Sequence, residues 1–237
     1  MAAPARATGS AKAGAWSGAP EVMVGSATSV GDLQSFPIKN PTTVAQEQMN
    51  RLLMFSAPHV QATREYIAEA PTLSYWGDDF GWGTDIPARG IVSVGIRFFN
   101  RDRDGLGGPL PHGALRVYED DASGRLRYVG AAAIPDTPHD QKVEITLARA
   151  FDVFSEWTLV KRQRINSETM RDSVCILLHN EKATAVDVEA RQGFGGRSKV
   201  VDESQGHIGL DADHVQWTVS VPAAGKATLE YTVEEKE

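Results

Sequence analysis

The feature that most constrains this chain is a two-residue alternation of apolar and polar side chains that recurs from residue 92 onward. In Val92-Ser93-Val94-Gly95-Ile96-Arg97-Phe98 all four apolar residues fall on one side of an extended chain. Residues 142–147, 184–189, 215–221 and 227–233 repeat the pattern. Strands with one dry and one wet face suit antiparallel sheets, and the dry face needs a second layer to cover it. Turn-forming residues punctuate the runs: Asp120-Asp121-Ala122-Ser123-Gly124, Asn180-Glu181-Lys182-Ala183 and Pro222-Ala223-Ala224-Gly225. The first of these separates 115–118 from 126–129 and reads as a hairpin loop. No 3.6-residue stripe competes, and residues 44–55 read equally as a helix or as a strand.

The spacing therefore predicts an all-β protein, an antiparallel β-sandwich built from two packed β modules. Residues 1–20, rich in Ala, Gly and Ser, read as a flexible tail. Residues 21–90 form the N-terminal β module, which either stands alone or completes a sheet with the rest. Residues 91–237 form the C-terminal sandwich, with loop-like sequence marking the boundary near 68–90.

Charge narrows the partners. A formal net charge of −7 and a pI near 5.4 argue against nucleic acid and anionic membrane surfaces, which need concentrated positive charge. The basic cluster Lys161-Arg162-Gln163-Arg164 reads as a solvated strand face. No run approaches the ~18 apolar residues of a membrane span, so no membrane insertion is expected. The single cysteine, Cys175, forms no intrachain disulfide and sits in the apolar run Val174-Cys175-Ile176-Leu177-Leu178, the setting of an inert buried thiol.

The usual signatures of chemistry are weak. His59, His112, His139, His179, His207 and His214 are scattered, with no paired metal-ligand spacing. Cys175 and His179 share a strand face but lie ~13 Å apart along it. Asn100-Arg101-Asp102-Arg103-Asp104-Gly105 opens like a calcium loop, yet its twelfth position is Pro111 where a bidentate Glu is required. The acidic pairs Asp78-Asp79, Asp120-Asp121 and Asp211/Asp213 select no two-carboxylate catalytic arrangement. Gly193-Phe194-Gly195-Gly196-Arg197 lacks the ending of a phosphate-binding loop. No catalytic, cofactor-binding or metal residue is assigned, and no cofactor is expected. The most suggestive local feature is Tyr75, Trp76 and Trp82, aromatics on a loop that would stack on sugar rings or a protein partner, with Asp78 and Asp79 beside them.

Several blocks resemble a bacterial family, domain of unknown function 4139, which includes proteins called mucoidy inhibitor A. They are Gly105-Leu106-Gly107-Gly108-Pro109-Leu110-Pro111 continuing to Arg116-Val117-Tyr118, then Ser56-Ala57-Pro58, Asp136-Thr137-Pro138, Phe151-Asp152-Val153 and the closing Val221-Pro222-Ala223-Ala224-Gly225. The likeness spans roughly residues 20–235 in the same order. Together with the acidic charge and the absence of a recognisable catalytic constellation, it implies a non-enzymatic interaction or structural module linked to the cell envelope or exopolysaccharide, with a protein or glycan partner. A carbohydrate-binding or carbohydrate-active domain using Tyr75, Trp76 and Trp82 is the alternative. The resemblance implies the periplasm or envelope, although residues 1–19 show no apolar core of a secretion signal. Family members usually carry a preceding β-domain and coiled coil, so edge-strand pairing with such a domain or with another chain is a further expectation.

Overall fold

The computed structural model describes residues 28–37, 43, 46–57, 59–70, 87–121, 123–194 and 197–236. Two compact units divide between His59 and Val60. In the first, β1 (Thr28–Val30) and β2 (Leu33–Ser35) pair as a hairpin whose two-residue loop begins at Gly31, with φ at 63°. A positive φ at that position is what such tight hairpins require and what glycine adopts freely. Residues 46–55 form neither helix nor strand.

The second unit, Val60–Glu237, contains β3 (Ala62–Glu69), β4 (Ala88–Phe99), β5 (Gly113–Asp120), β6 (Leu126–Ile134), β7 (Lys142–Asn166), β8 (Thr169–Asn180), β9 (Val186–Gly193), β10 (Arg197–Glu203), β11 (Ile208–Gly209), β12 (His214–Val221) and β13 (Gly225–Lys236). One 3-10 turn, Asp102–Asp104, is the only helical element among the described residues. Nine strands make one mixed sheet in the order β10-β13-β8-β7-β4-β3-β9-β12-β11, and β5 pairs with β6 in a separate hairpin. Among the described strands only β3–β9 is parallel. The fold is thus all-β and sandwich-like. β3 lies hydrogen-bonded between β4 and β9, so residues 62–69 share the sheet of the later strands.

The alternation in sequence becomes alternation in burial. Along β12, Trp217, Val219 and Val221 are buried while Thr218 and Ser220 are exposed. Leu229, Tyr231 and Val233 do the same on β13. The dry faces of both halves of the sheet meet in one core, where the Trp217 and Tyr231 rings stack with centroids 4.6 Å apart.

Connectivity explains how one sheet supplies both layers. β10 and β11 are its opposite edges, and nine strands laid flat would hold them ~38 Å apart at about 4.8 Å per strand. Only residues 204–207 join them, a link reaching roughly 18 Å at most. The sheet must therefore roll until its edges approach. The side chain of Glu203 clasps the seam by accepting a hydrogen bond from the indole Nε1 of Trp217 at 2.8 Å, and Gln205 Nε2 donates to the Thr218 carbonyl at 2.9 Å. β7 turns the corner. Its first part pairs with β4 and its last part with β8, across register shifts that leave Phe151 92% exposed. Both sheet edges are blunted: β10 carries a bulge and the cations Arg197 and Lys199, and β11 is two residues long.

Candidate functional site

Three of the blocks quoted above, at 105–111, 136–138 and 221–225, meet two fully buried asparagines. Asn100 ends the run after β4, and its Nδ2 donates to the carbonyls of Gly108 at 2.8 Å, Thr137 at 3.1 Å and Pro138 at 3.0 Å. Its Oδ1 accepts the amide of Gly107 at 3.0 Å. One amide side chain thus ties the Gly-Leu-Gly-Gly-Pro loop to the Asp-Thr-Pro loop, and Leu110 and Thr137 exchange backbone hydrogen bonds beside it. Gly107, with φ at 112°, passes so close to Asp102 that any Cβ would collide with its carboxylate. Asn180 repeats the device at the other motif. It donates to the carbonyls of Thr184, Val221 and Pro222, and accepts the Lys182 amide at 3.0 Å. Unpaired backbone groups inside a fold are costly, so these two amides do structural work where chain segments meet away from the ladders. Asn100, the first residue of the calcium-like pattern, is spent in this way.

Charged residues elsewhere are largely paired with one another. On one sheet face Arg97 contacts Glu65 and Glu189, while Arg191 binds Glu144 at 2.8 Å, Glu189 at 2.7 Å and the Gln216 side-chain oxygen at 3.0 Å. This ladder splits its carboxyls. Burial pushes the Glu65 carboxyl above the usual range despite Arg97. Burial acts the same way on Glu144, but hydrogen bonds from Arg191 and Lys142 outweigh it and lower that group to about 2. Arg162 departs from the solvated-face expectation. It makes a bidentate pair with buried Asp172, at 2.9 and 2.7 Å, because the extra residue Val160 in β7 reverses the inward phase of the strand.

Five of the histidines sit against carboxylates: His112 with Asp136, His139 with Asp102 and Asp140, His179 with Glu156, His207 with Glu203 and His214 with Asp211. His179 also stacks on Phe154, and the Arg89 guanidinium lies over that ring, 4.3 Å from its centroid. Among the described residues no three His, Cys, Asp or Glu side chains are grouped to hold a metal ion. Cys175 is half-buried, and burial, aided by Glu230, pushes its thiol up and away from the reactive thiolate. Asp121 serves the β5–β6 loop by accepting the Ser123 hydroxyl, the Arg127 side chain and the amides of Arg125 and Ser123, which hold its carboxyl well below the usual range. Tyr75, Trp76, Asp78, Asp79 and Trp82 lie outside the described residues.

A groove crosses the outer face of β7, β8, β13 and β10. Two overlapping hollows of about 360 Å³ each share Ser173, Asp202 and Thr232. The Ser173 and Thr232 hydroxyls, on adjacent strands and 3.1 Å apart, form the floor. Bulges flank the floor on both sides, at Val160 in β7 and Val201 in β10, where one strand carries an extra residue. Both valines are exposed, at 46% and 40%. The bulge in β10 also turns Glu203 inward to the seam and Asp202 outward to the groove. Bulges re-aim side chains and bend strands, and here a matched pair opens a hollow on what would otherwise be a flat sheet. Sequence reasoning passed over this groove because its residues are single polar positions on four separate strands. The one available signal was the lapse in alternation around Val160 and Val201.

No protein-family model, curated protein or solved structure matches the chain.

Proposed function

We propose that the chain is a non-enzymatic interaction module of the bacterial envelope that engages a protein or glycan partner through the outer face of its rolled sheet. The observation that carries this reading is the groove held between two bulges, with a hydroxyl floor and both signs of charge on its walls. The family-like blocks support it from the other side, because their turns, tied down by the buried Asn100 and Asn180, hold the scaffold and take no part in a reactive arrangement. Blunted sheet edges direct a partner to a face and not to strand addition. The envelope and exopolysaccharide link follows from the resemblance to the domain of unknown function 4139 family.

Affinity electrophoresis of the whole chain through gels containing neutral, acidic or amino-sugar polysaccharides, paired with pull-down of short peptides, tests the reading. Retention that Thr232→Tyr abolishes by filling the groove supports it. Retention unaffected by that substitution contradicts it.

A further inference from the structure

The groove has ends of opposite charge, and its geometry points to a ligand class. We infer that it binds a short zwitterionic peptide of about three residues, with the free ammonium at the β13–β10 end and the free carboxylate at the β7 end. This rests on the interaction-module reading above and adds the chemistry of the ligand.

At one end Asp202 and Glu230 project from β10 and β13, and at the other Lys161 projects from β7. None of these three has an ion-pair partner among the described residues, whereas the neighbouring cations Arg162 and Arg171 are engaged by Asp172 and Glu234. Exposed, unpaired charge of both signs around one hollow favours a ligand carrying both signs over a uniformly charged or neutral one. Length follows from strand spacing. β7 and β10 are separated by three ladder steps, about 14 Å between backbones. Side chains stand roughly perpendicular to the sheet, so the charges stay about 14 Å apart, and about 2.8 Å of ion-pair contact at each end leaves about 8–9 Å between the ligand's own charges. A single amino acid is too short, and three extended residues at about 3.4 Å each match it. The floor suits a peptide backbone, since the Ser173 and Thr232 hydroxyls and the Gln163 amide both donate and accept. Val160 and Val201 on the rims offer small apolar contacts to short side chains.

The test is isothermal titration of the whole chain with trialanine, N-acetyl-trialanine amide, alanine and a neutral trisaccharide. Trialanine is expected to bind at least tenfold more tightly than its capped form or alanine. Lys161→Gln and Asp202→Asn, both exposed changes compatible with folding, are each expected to weaken it at least fivefold, whereas Lys226→Gln on the same face leaves it unchanged. Equal binding of the capped peptide, or indifference to both groove substitutions, overturns the inference. Binding of the trisaccharide without trialanine would overturn it while leaving the interaction-module reading standing; binding of neither removes the support for both.

Discussion

Replacing Asn100 by alanine isolates the structural work of the Gly-Leu-Gly-Gly-Pro block. Asn100 is fully buried and makes four side-chain hydrogen bonds to backbone groups. Two of its partners keep company after the change: the Thr137 carbonyl still accepts from Leu110 at 3.0 Å, and the Pro138 carbonyl from Gln141 at 3.4 Å. The Gly107 amide and Gly108 carbonyl lose the partner shown here. A buried polar group left unsatisfied costs about 1–3 kcal/mol, so two such groups, partly rehydrated through the loop, cost about 3 kcal/mol. For a domain of this size that corresponds to a fall in Tm of about 6–12 °C. Urea unfolding followed by the fluorescence of Trp157 and Trp217, both in the core, reads the loss directly. Asn100→Asp is expected to be worse, because it keeps the acceptor for Gly107 but turns a carboxylate toward three carbonyls. A loss below about 1 kcal/mol at unchanged m-value would refute the assignment of Asn100 as the knot between the two loops.

Other changes test other parts of the account. Arg162→Ala strands the buried carboxylate of Asp172 and is expected to cost about 3–5 kcal/mol by urea unfolding, against nearly nothing for a solvated arginine. Gly90→Ala places a Cβ 2.4 Å from the Ser155 hydroxyl and 2.6 Å from Trp157 Nε1, so it breaks the bond between those buried groups and should lower stability by about 1–3 kcal/mol. The pH dependence separates the two ladder carboxyls. Because the folded pKa of Glu144 is lowered from 4.5 to about 2, its contribution is whole above pH 4.5 and is lost as pH falls toward 2. Glu144→Gln should therefore destabilise at pH 7 by about 2–3 kcal/mol and match the parent near pH 2. Glu65 has the opposite sign. Its raised folded pKa favours the protonated form, so Glu65→Gln should leave stability at pH 7 equal or higher, and a large loss there would contradict the burial argument.

Much of the scaffold was legible in the sequence, for local reasons. Period-two patterning marked 217–221 and 227–233 because those stretches bury one face and expose the other, and the Asp120–Gly124 turn announced the β5–β6 hairpin. The long β7 was legible only in part. Bulges reverse its inward phase, so Arg162 read as a surface cation although it faces Asp172. The parallel pairing of β3 with β9 joins segments more than a hundred residues apart and leaves no local trace. The asparagine knots were hidden for a different reason. A lone Asn beside a turn reads as a turn-former, and nothing in its neighbours shows which distant carbonyls it will meet. The groove was least legible, since it is made by register on four strands and not by any run of residues.

The most direct test of the central claim is to map binding on the ¹⁵N-labelled chain as trialanine is added. Saturable amide shifts centred on Val160, Ser173, Val201 and Thr232 are predicted, with the Asn100 and Asn180 loops unmoved. Shifts centred on those loops, or none anywhere on the outer face of β7, β8, β13 and β10, would contradict it.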